Sequence, residues 1–142
     1  MTANKYILLV EDDKEDQEFF IQALNGIENA VLYGVANNGK EAMHTLENNN
    51  TLPSLIFMDI NMPVMNGIEC LSEIIKKPEI KDIPVVILST DTKHAEEVRK
   101  LGAKVFIKKP NDRKSLRQQL EQIINLDFES ENYTNQTFHA GF

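Results

Sequence analysis

The stretch Leu55-Ile56-Phe57-Met58-Asp59-Ile60-Asn61-Met62-Pro63-Val64-Met65-Asn66-Gly67 constrains this chain more than any other. Four large apolar residues run without alternation into a carboxylate, and the chain then breaks at a proline and a glycine. A short apolar run bounded by turn residues is the pattern of a strand buried on both faces, the kind found in parallel sheets. Asp59 therefore falls where that strand ends. In open α/β sheets, ligands bind in the crevice outside the carboxyl ends of the strands. A carboxylate there is costly without a cation or hydrogen-bond donors. The simpler alternative is an aspartate that only caps a turn.

The rest of the chain repeats the pattern. Tyr6–Val10 is a second unalternated apolar run, and it ends on Glu11-Asp12-Asp13. Ala30–Val35, Ile83–Leu88 and Lys104–Lys108 give further strands, the last two ending on Ser89-Thr90-Asp91-Thr92 and on Lys109-Pro110. Between them, apolar residues recur at helical spacing. Phe20, Ala23, Leu24 and Ile27 mark a first helix ending near Gly26, and Ala42, Met43 and Leu46 a second. Ile68, Leu71, Ile74 and Ile75 mark a third, stopped near Pro78. A fourth runs from Lys93 to Leu101 and closes on Gly102, and Leu116, Leu120, Ile123 and Ile124 line a fifth. The order βαβαβαβαβα predicts an α/β, flavodoxin-like (βα)5 doubly wound parallel sheet with strand order 2-1-3-4-5. At 142 residues the chain has length for one domain, residues 1–126, followed by a polar segment 127–142 expected to be mobile.

Composition excludes some functions. A formal net charge of −7 argues against nonspecific binding to nucleic acid or anionic membrane. No apolar run approaches the roughly 20 residues that span a bilayer. The N-terminus lacks the apolar segment of a signal peptide, and a single cysteine, Cys70, cannot form an internal disulfide. Together these features lead us to expect a cytoplasmic protein. Cys70, on the third helix, reads as a small packed residue rather than a reactive thiol. His44, His94 and His139 stand apart from the acidic strand ends.

In the expected fold, the strand ends bring together Glu11, Asp12, Asp59, Ser89 or Thr90, and Lys109. Three carboxylates in one pocket repel one another and stay ionised at neutral pH only if a cation compensates them. An all-oxygen donor set suits Mg²⁺. Lys109 adds a fixed positive charge and Ser89 a hydroxyl donor. Such a group can hold three phosphoryl oxygens while Asp59 attacks phosphorus to form an aspartyl phosphate.

Leu9-Val10-Glu11-Asp12-Asp13, Met58-Asp59-Ile60-Asn61-Met62-Pro63 with Asn66-Gly67, Leu88-Ser89-Thr90 and Lys108-Lys109-Pro110 resemble the receiver domain of two-component response regulators. The resemblance covers about residues 5–126. It implies that Asp59 is the phosphoacceptor, that Asp12 binds Mg²⁺ directly and Glu11 through water, and that the Asn61 backbone carbonyl completes the protein ligands. It further implies that Lys109 contacts the phosphoryl group, that Ser89 is a switch hydroxyl, and that Phe106 is the aromatic switch that follows it. Phe106 lacks the hydroxyl of the tyrosine usual there. The Lys109–Pro110 bond is usually cis in the family. Asn61 and Asp91 stand where the family tunes dephosphorylation, and an amide beside an acid resembles its fast-hydrolysing members. Asp13 has the simpler role of capping the first helix.

By the same resemblance, a histidine kinase, hybrid kinase or phosphotransfer protein supplies the phosphoryl group. Output then runs through protein–protein contact or a phosphorelay. The face used by most receivers, the fourth helix, fifth strand and fifth helix, is locally basic here: Lys93, Lys100, Lys104, Lys108, Arg113, Lys114 and Arg117. Homodimer formation is left open. The short segment after the last helix suggests a single-domain regulator. The connection from Lys76 to Pro84 is similar to that of regulators partnering bacterial phytochromes and hybrid kinases. Two other classes fit less well. A Mg²⁺-dependent aspartyl-nucleophile phosphohydrolase carries Asp-x-Asp, and Asn61 cannot protonate a leaving group. A flavin module needs a phosphate loop after the first strand, where Glu11-Asp12-Asp13 would repel it. The expectation is a self-phosphorylating receiver rather than a turnover enzyme.

Overall fold

The computed structural model describes residues 3–128. Its elements alternate as β1 (Lys5–Val10), α1 (Lys14–Leu24), β2 (Ala30–Ala36), α2 (Gly39–Asn48), β3 (Leu55–Met58), α3 (Gly67–Ile75), β4 (Val85–Ser89), α4 (Ala95–Leu101), β5 (Val105–Lys108) and α5 (Arg113–Ile124). All strand pairs are parallel, in the order β2-β1-β3-β4-β5, as the pattern predicts. The apolar runs of β1, β3, β4 and β5 do not alternate because helices cover both faces of the sheet there, whereas the edge strand β2 leaves Val31 and Leu32 exposed. Ile7, Leu9, Leu55, Phe57, Val86 and Val105 point toward α1 and α5, whose Phe20, Leu24, Leu116 and Leu120 complete one core layer. Leu8, Val10, Ile56, Met58, Ile87 and Phe106 point to the other face, against Met43, Leu46, Leu71, Ile74 and Val98.

Local chemistry sets the helix starts. Asp13 caps α1 by accepting from the Asp16 amide at 3.0 Å, as expected of it. Asn38 and Asp112 cap α2 and α5 in the same way. Asn66 and Glu69 form a reciprocal capping box at the head of α3. Gly102 closes α4 at φ 117°, in the left-handed region that glycine enters without steric cost.

Four local expectations need correction. α1 ends at Leu24 with Asn25 as its cap, so Ile27 is buried from the following turn and not from the helix. On α3, Ile75 is 37% exposed and not part of the buried stripe, while Cys70 is fully buried as expected. The stripe of α3 is thus carried by Gly67, Cys70, Leu71 and Ile74. α4 begins at Ala95, because residues 91–94 form a turn in which Asp91 accepts from the Lys93 amide at 2.9 Å. No described peptide bond is cis, so Lys109–Pro110 is trans. Amides preceding proline favour trans by only about 0.5–1 kcal/mol, so the surroundings decide the isomer.

Leu126 and Phe128 pack against the core layer of α1 and α5. The remainder of the segment expected to be mobile, with His139, lies outside the described residues. No described helix is long and apolar enough to cross a membrane. Val64, in the β3–α3 loop, holds φ 69° while 74% exposed. A β-branched residue there stores strain on the order of 1–3 kcal/mol in the loop that follows Asp59.

Candidate phosphoacceptor site

β1, β3, β4 and β5 end side by side, and their register brings the polar residues that follow them to one edge. Val10 lies opposite Met58, so Glu11 and Asp59 leave adjacent strands at the same level. The Asp59 amide donates to the Val10 carbonyl at 3.0 Å and fixes that level. One carboxylate oxygen from each of Glu11, Asp12 and Asp59 lies within 4.8 Å of the others. Across the sheet, Ser89 pairs with Lys108, and the Lys109 amide donates to the Ser89 carbonyl at 2.8 Å. This brings the Lys109 side chain back over the acids. Its ammonium donates to Glu11 at 2.8 Å, to Asp16 at 2.9 Å and to Asp59 at 3.5 Å.

One ammonium serves three acids, and the electrostatics show the shortfall. Burial pushes the Glu11 carboxyl up from 4.5 to about 7; the Lys109 hydrogen bond pulls it down and the Asp59 charge pushes it further up. Burial also raises the Asp59 carboxyl, and Lys109 with the Ile60 amide, 2.8 Å from its Oδ1, restores only part. For Lys109, burial opposes the charge, but the bonds to Glu11 and Asp16 and the nearby Asp59 hold its pKa raised. The cluster is therefore short of positive charge. An additional oxygen-seeking cation fits it: the donors are all carboxylates, with no histidine or cysteine that would favour a softer metal.

The structure gathers most of the sequence-predicted site. Glu11, Asp12, Asp59 and Lys109 meet directly. Ser89 is buried at the neighbouring strand end, where its Oγ accepts from the Asp91 amide at 3.3 Å. Thr90, the alternative hydroxyl, is exposed and lines a cleft of about 320 Å³ with Glu11, Asp16 and Lys109. Asn61 and Asp91 are exposed on the two loops flanking Asp59 and Ser89. Phe106 is turned fully inward, at 1% exposure. The seven basic residues named above in the α4–β5–α5 region are exposed, while Arg99 of α4 is half-buried. Cys70 is the packed residue it was expected to be, with burial pushing its thiol up to about 12. His44 and His94 pair locally, with Asn48 and Glu97.

Two supporting residues escaped the sequence reading. Gln17 is buried and donates to the Glu11 carbonyl at 2.6 Å and to Asn37 at 2.9 Å, bracing the end of β1. Asp16 is the second-closest acid to Lys109. Both precede the buried Phe20 by one helical turn, at i−3 and i−4, and so share its face of α1. That spacing was a usable signal.

The chain matches the model of the response regulator receiver domain over residues 7–121. It belongs to that family. It is 37% identical over 109 residues to a protein-glutamate methylesterase/protein-glutamine glutaminase of Methanococcoides burtonii, covering 73% of this chain but 29% of that protein. The chain thus spans less than a third of that relative's length. The crystal structure of the phosphorylated cyanobacterial phytochrome response regulator RcpA superposes with a TM-score of 0.74 at 34% identity, covering 85% of this chain and 91% of that one. The Mn²⁺-bound form of response regulator Rcp1 gives 0.70 at 28% identity, covering 92% and 99%. The receiver fold expected from pattern and resemblance is thereby established, as is its place in two-component signalling. The phosphohydrolase alternative finds no support.

Proposed function

We propose that this receiver accepts a phosphoryl group on Asp59 from a histidine kinase, hybrid kinase or phosphotransfer protein in the cytoplasm and signals by a phosphorylation-dependent change in protein contacts. The observation that carries the proposal is the Lys109 ammonium, 3.5 Å from Asp59 and backed by Glu11. It is a fixed cation beside a carboxylate nucleophile, where phosphoryl oxygens would arrive. An Asp59 oxygen attacks phosphorus in line. The bond from phosphorus to the donor breaks, and the departing group takes the electron pair and later a proton. Lys109 holds one phosphoryl oxygen and the Ser89 hydroxyl a second. Asp12 and Asp59, the Asn61 carbonyl, and Glu11 through water would hold Mg²⁺, which supplies charge compensation for the phosphoryl oxygens. Phe106 is already turned inward, so movement of Ser89 toward the phosphoryl group would be the step that biases the α4–β5–α5 face between two states.

Incubation with Mg²⁺ and acetyl phosphate, read by intact mass, tests this. The expected result is a gain of one phosphoryl group, absent in Asp59→Asn and in EDTA. No gain by the folded protein overturns the proposal, and continuous phosphate release from phosphomonoesters would favour a hydrolase.

The exposed pair Asn61 and Asp91 can orient an attacking water, so the aspartyl phosphate should be short-lived. Asp91→Arg is expected to lengthen its lifetime by about tenfold, at or below the usual contribution of a group that manages a proton or water. Decay of the phosphorylated mass after donor removal measures it, and an unchanged half-life removes Asp91 from the mechanism.

A further inference from the structure

We propose that Asp16 is a competing counter-ion that holds Lys109 away from the phosphoryl position, and so sets how tightly the site takes a phosphoryl group. The inference rests on the receiver reading above and deepens it. An ammonium has three donor hydrogens. Here three acids take them: Glu11 at 2.8 Å, Asp16 at 2.9 Å and Asp59 at 3.5 Å. An arriving phosphoryl oxygen must displace one of these partners. Glu11 and Asp59 belong to the trio of oxygens spaced for a cation, and Asp16 does not. A divalent cation in that trio therefore compensates Glu11 and Asp59 and leaves Asp16 as the uncompensated partner of Lys109. Asp16 thus keeps its claim on the ammonium when the site is otherwise ready for phosphoryl transfer.

The bland reading is an acid in the first turn of α1 that only complements the helix dipole, as Glu15 does. Two observations separate Asp16 from that role. Its side chain reaches across to β5 to meet an ammonium only 15% exposed, and both residues line the same cleft beside the acids. Its backbone is fixed by the Asp13 cap, and its carboxylate meets the Lys109 ammonium at 2.9 Å. The Asp16 carboxylate is itself 46% exposed, which keeps the contest modest and reversible.

The test is titration with beryllofluoride, a phosphoryl-shaped probe, in saturating Mg²⁺ by calorimetry, alongside the rate of phosphorylation by acetyl phosphate. Asp16→Asn is expected to bind the probe about two- to fivefold more tightly, the range a partly exposed ion pair supports. Asp16→Glu, which keeps the charge, should return affinity toward wild type. Glu15→Gln removes the same charge one residue away without touching Lys109, and should change affinity by less than about 1.5-fold. In a Lys109→Gln background, Asp16→Asn should have no effect, because the coupling runs through the ammonium. Equal effects of Asp16→Asn and Glu15→Gln, weaker binding by Asp16→Asn, or an effect that survives Lys109→Gln each overturn the proposal. If wild type takes up neither probe nor phosphoryl group, the receiver reading fails and this inference goes with it.

Discussion

Gly67→Ala is expected to abolish phosphorylation at Asp59 and to destabilise the protein by about 3 kcal/mol, the upper end of what overpacking costs. Gly67 is the first residue of α3, and its backbone lies directly against the end of β3. A Cβ built there collides with the Asp59 carbonyl oxygen and comes within 2.9 Å of the Ile60 Cα. Both obstacles are backbone, so no side chain can turn aside. The helix cannot retreat cheaply either. Its head is fixed by the Asn66–Glu69 capping box, its amide donates to the Ile60 carbonyl at 2.8 Å, and Cys70, Leu71 and Ile74 are buried behind it. The strain must therefore pass into the loop that aims Asp59 at Lys109. Gly34→Ala is the control, since its Cβ would meet only Leu8, at 4.0 Å. Urea denaturation and intact mass under acetyl phosphate read the two effects. A Gly67→Ala protein of wild-type stability that still gains a phosphoryl group would show that the close approach is dispensable.

The same residues show what a sequence can reveal and where it stops. Unalternated apolar runs closed by acids, by Ser89 and by Lys109 predict the strands, the parallel order and the edge where the site forms, because burial on both faces leaves a mark readable within five or six residues. Asp59 is legible for that reason. The exposure of Ile75 is not, since it fits helical spacing as well as the buried positions do, and the orientation of α3 depends on the close approach of α2: the Cys70 thiol lies 3.6 Å from the Gly39 carbonyl. Asp16 was half legible. Its spacing from Phe20 puts it on the right face of α1, but its partner is 93 positions away. The trans Lys109–Pro110 bond has no sequence mark at all.

The charge shortfall in the site leads to the second large expectation. In EDTA, the wild-type protein should lose stability as pH rises from about 4.5 to about 7. In the folded state, Glu11 holds its proton up to about 7, against 4.5 for an ordinary glutamate. A raised carboxyl favours the folded state while it is protonated. Its contribution is complete below about 4.5, falls through the window and is gone above about 7, where the folded protein must carry a buried, undercompensated charge. At about 1.4 kcal/mol per pH unit, the span corresponds to roughly 3 kcal/mol. Asp59 is shifted in the same direction, again chiefly by burial, and adds to the slope. Glu11→Gln has nearly the shape of the protonated acid, and its single amide oxygen can still accept from Lys109, though not also from the Asp13 amide, which bonds to the other oxygen of Glu11. It should flatten the curve and exceed wild type by up to about 3 kcal/mol at pH 8. Mg²⁺ should raise wild-type stability at that pH and do much less for the variant, because the cation and the substitution relieve the same repulsion. Parallel curves for the two proteins in EDTA would mean that Lys109 alone compensates Glu11, and that the site's demand for a second cation comes from Asp12 and Asp59.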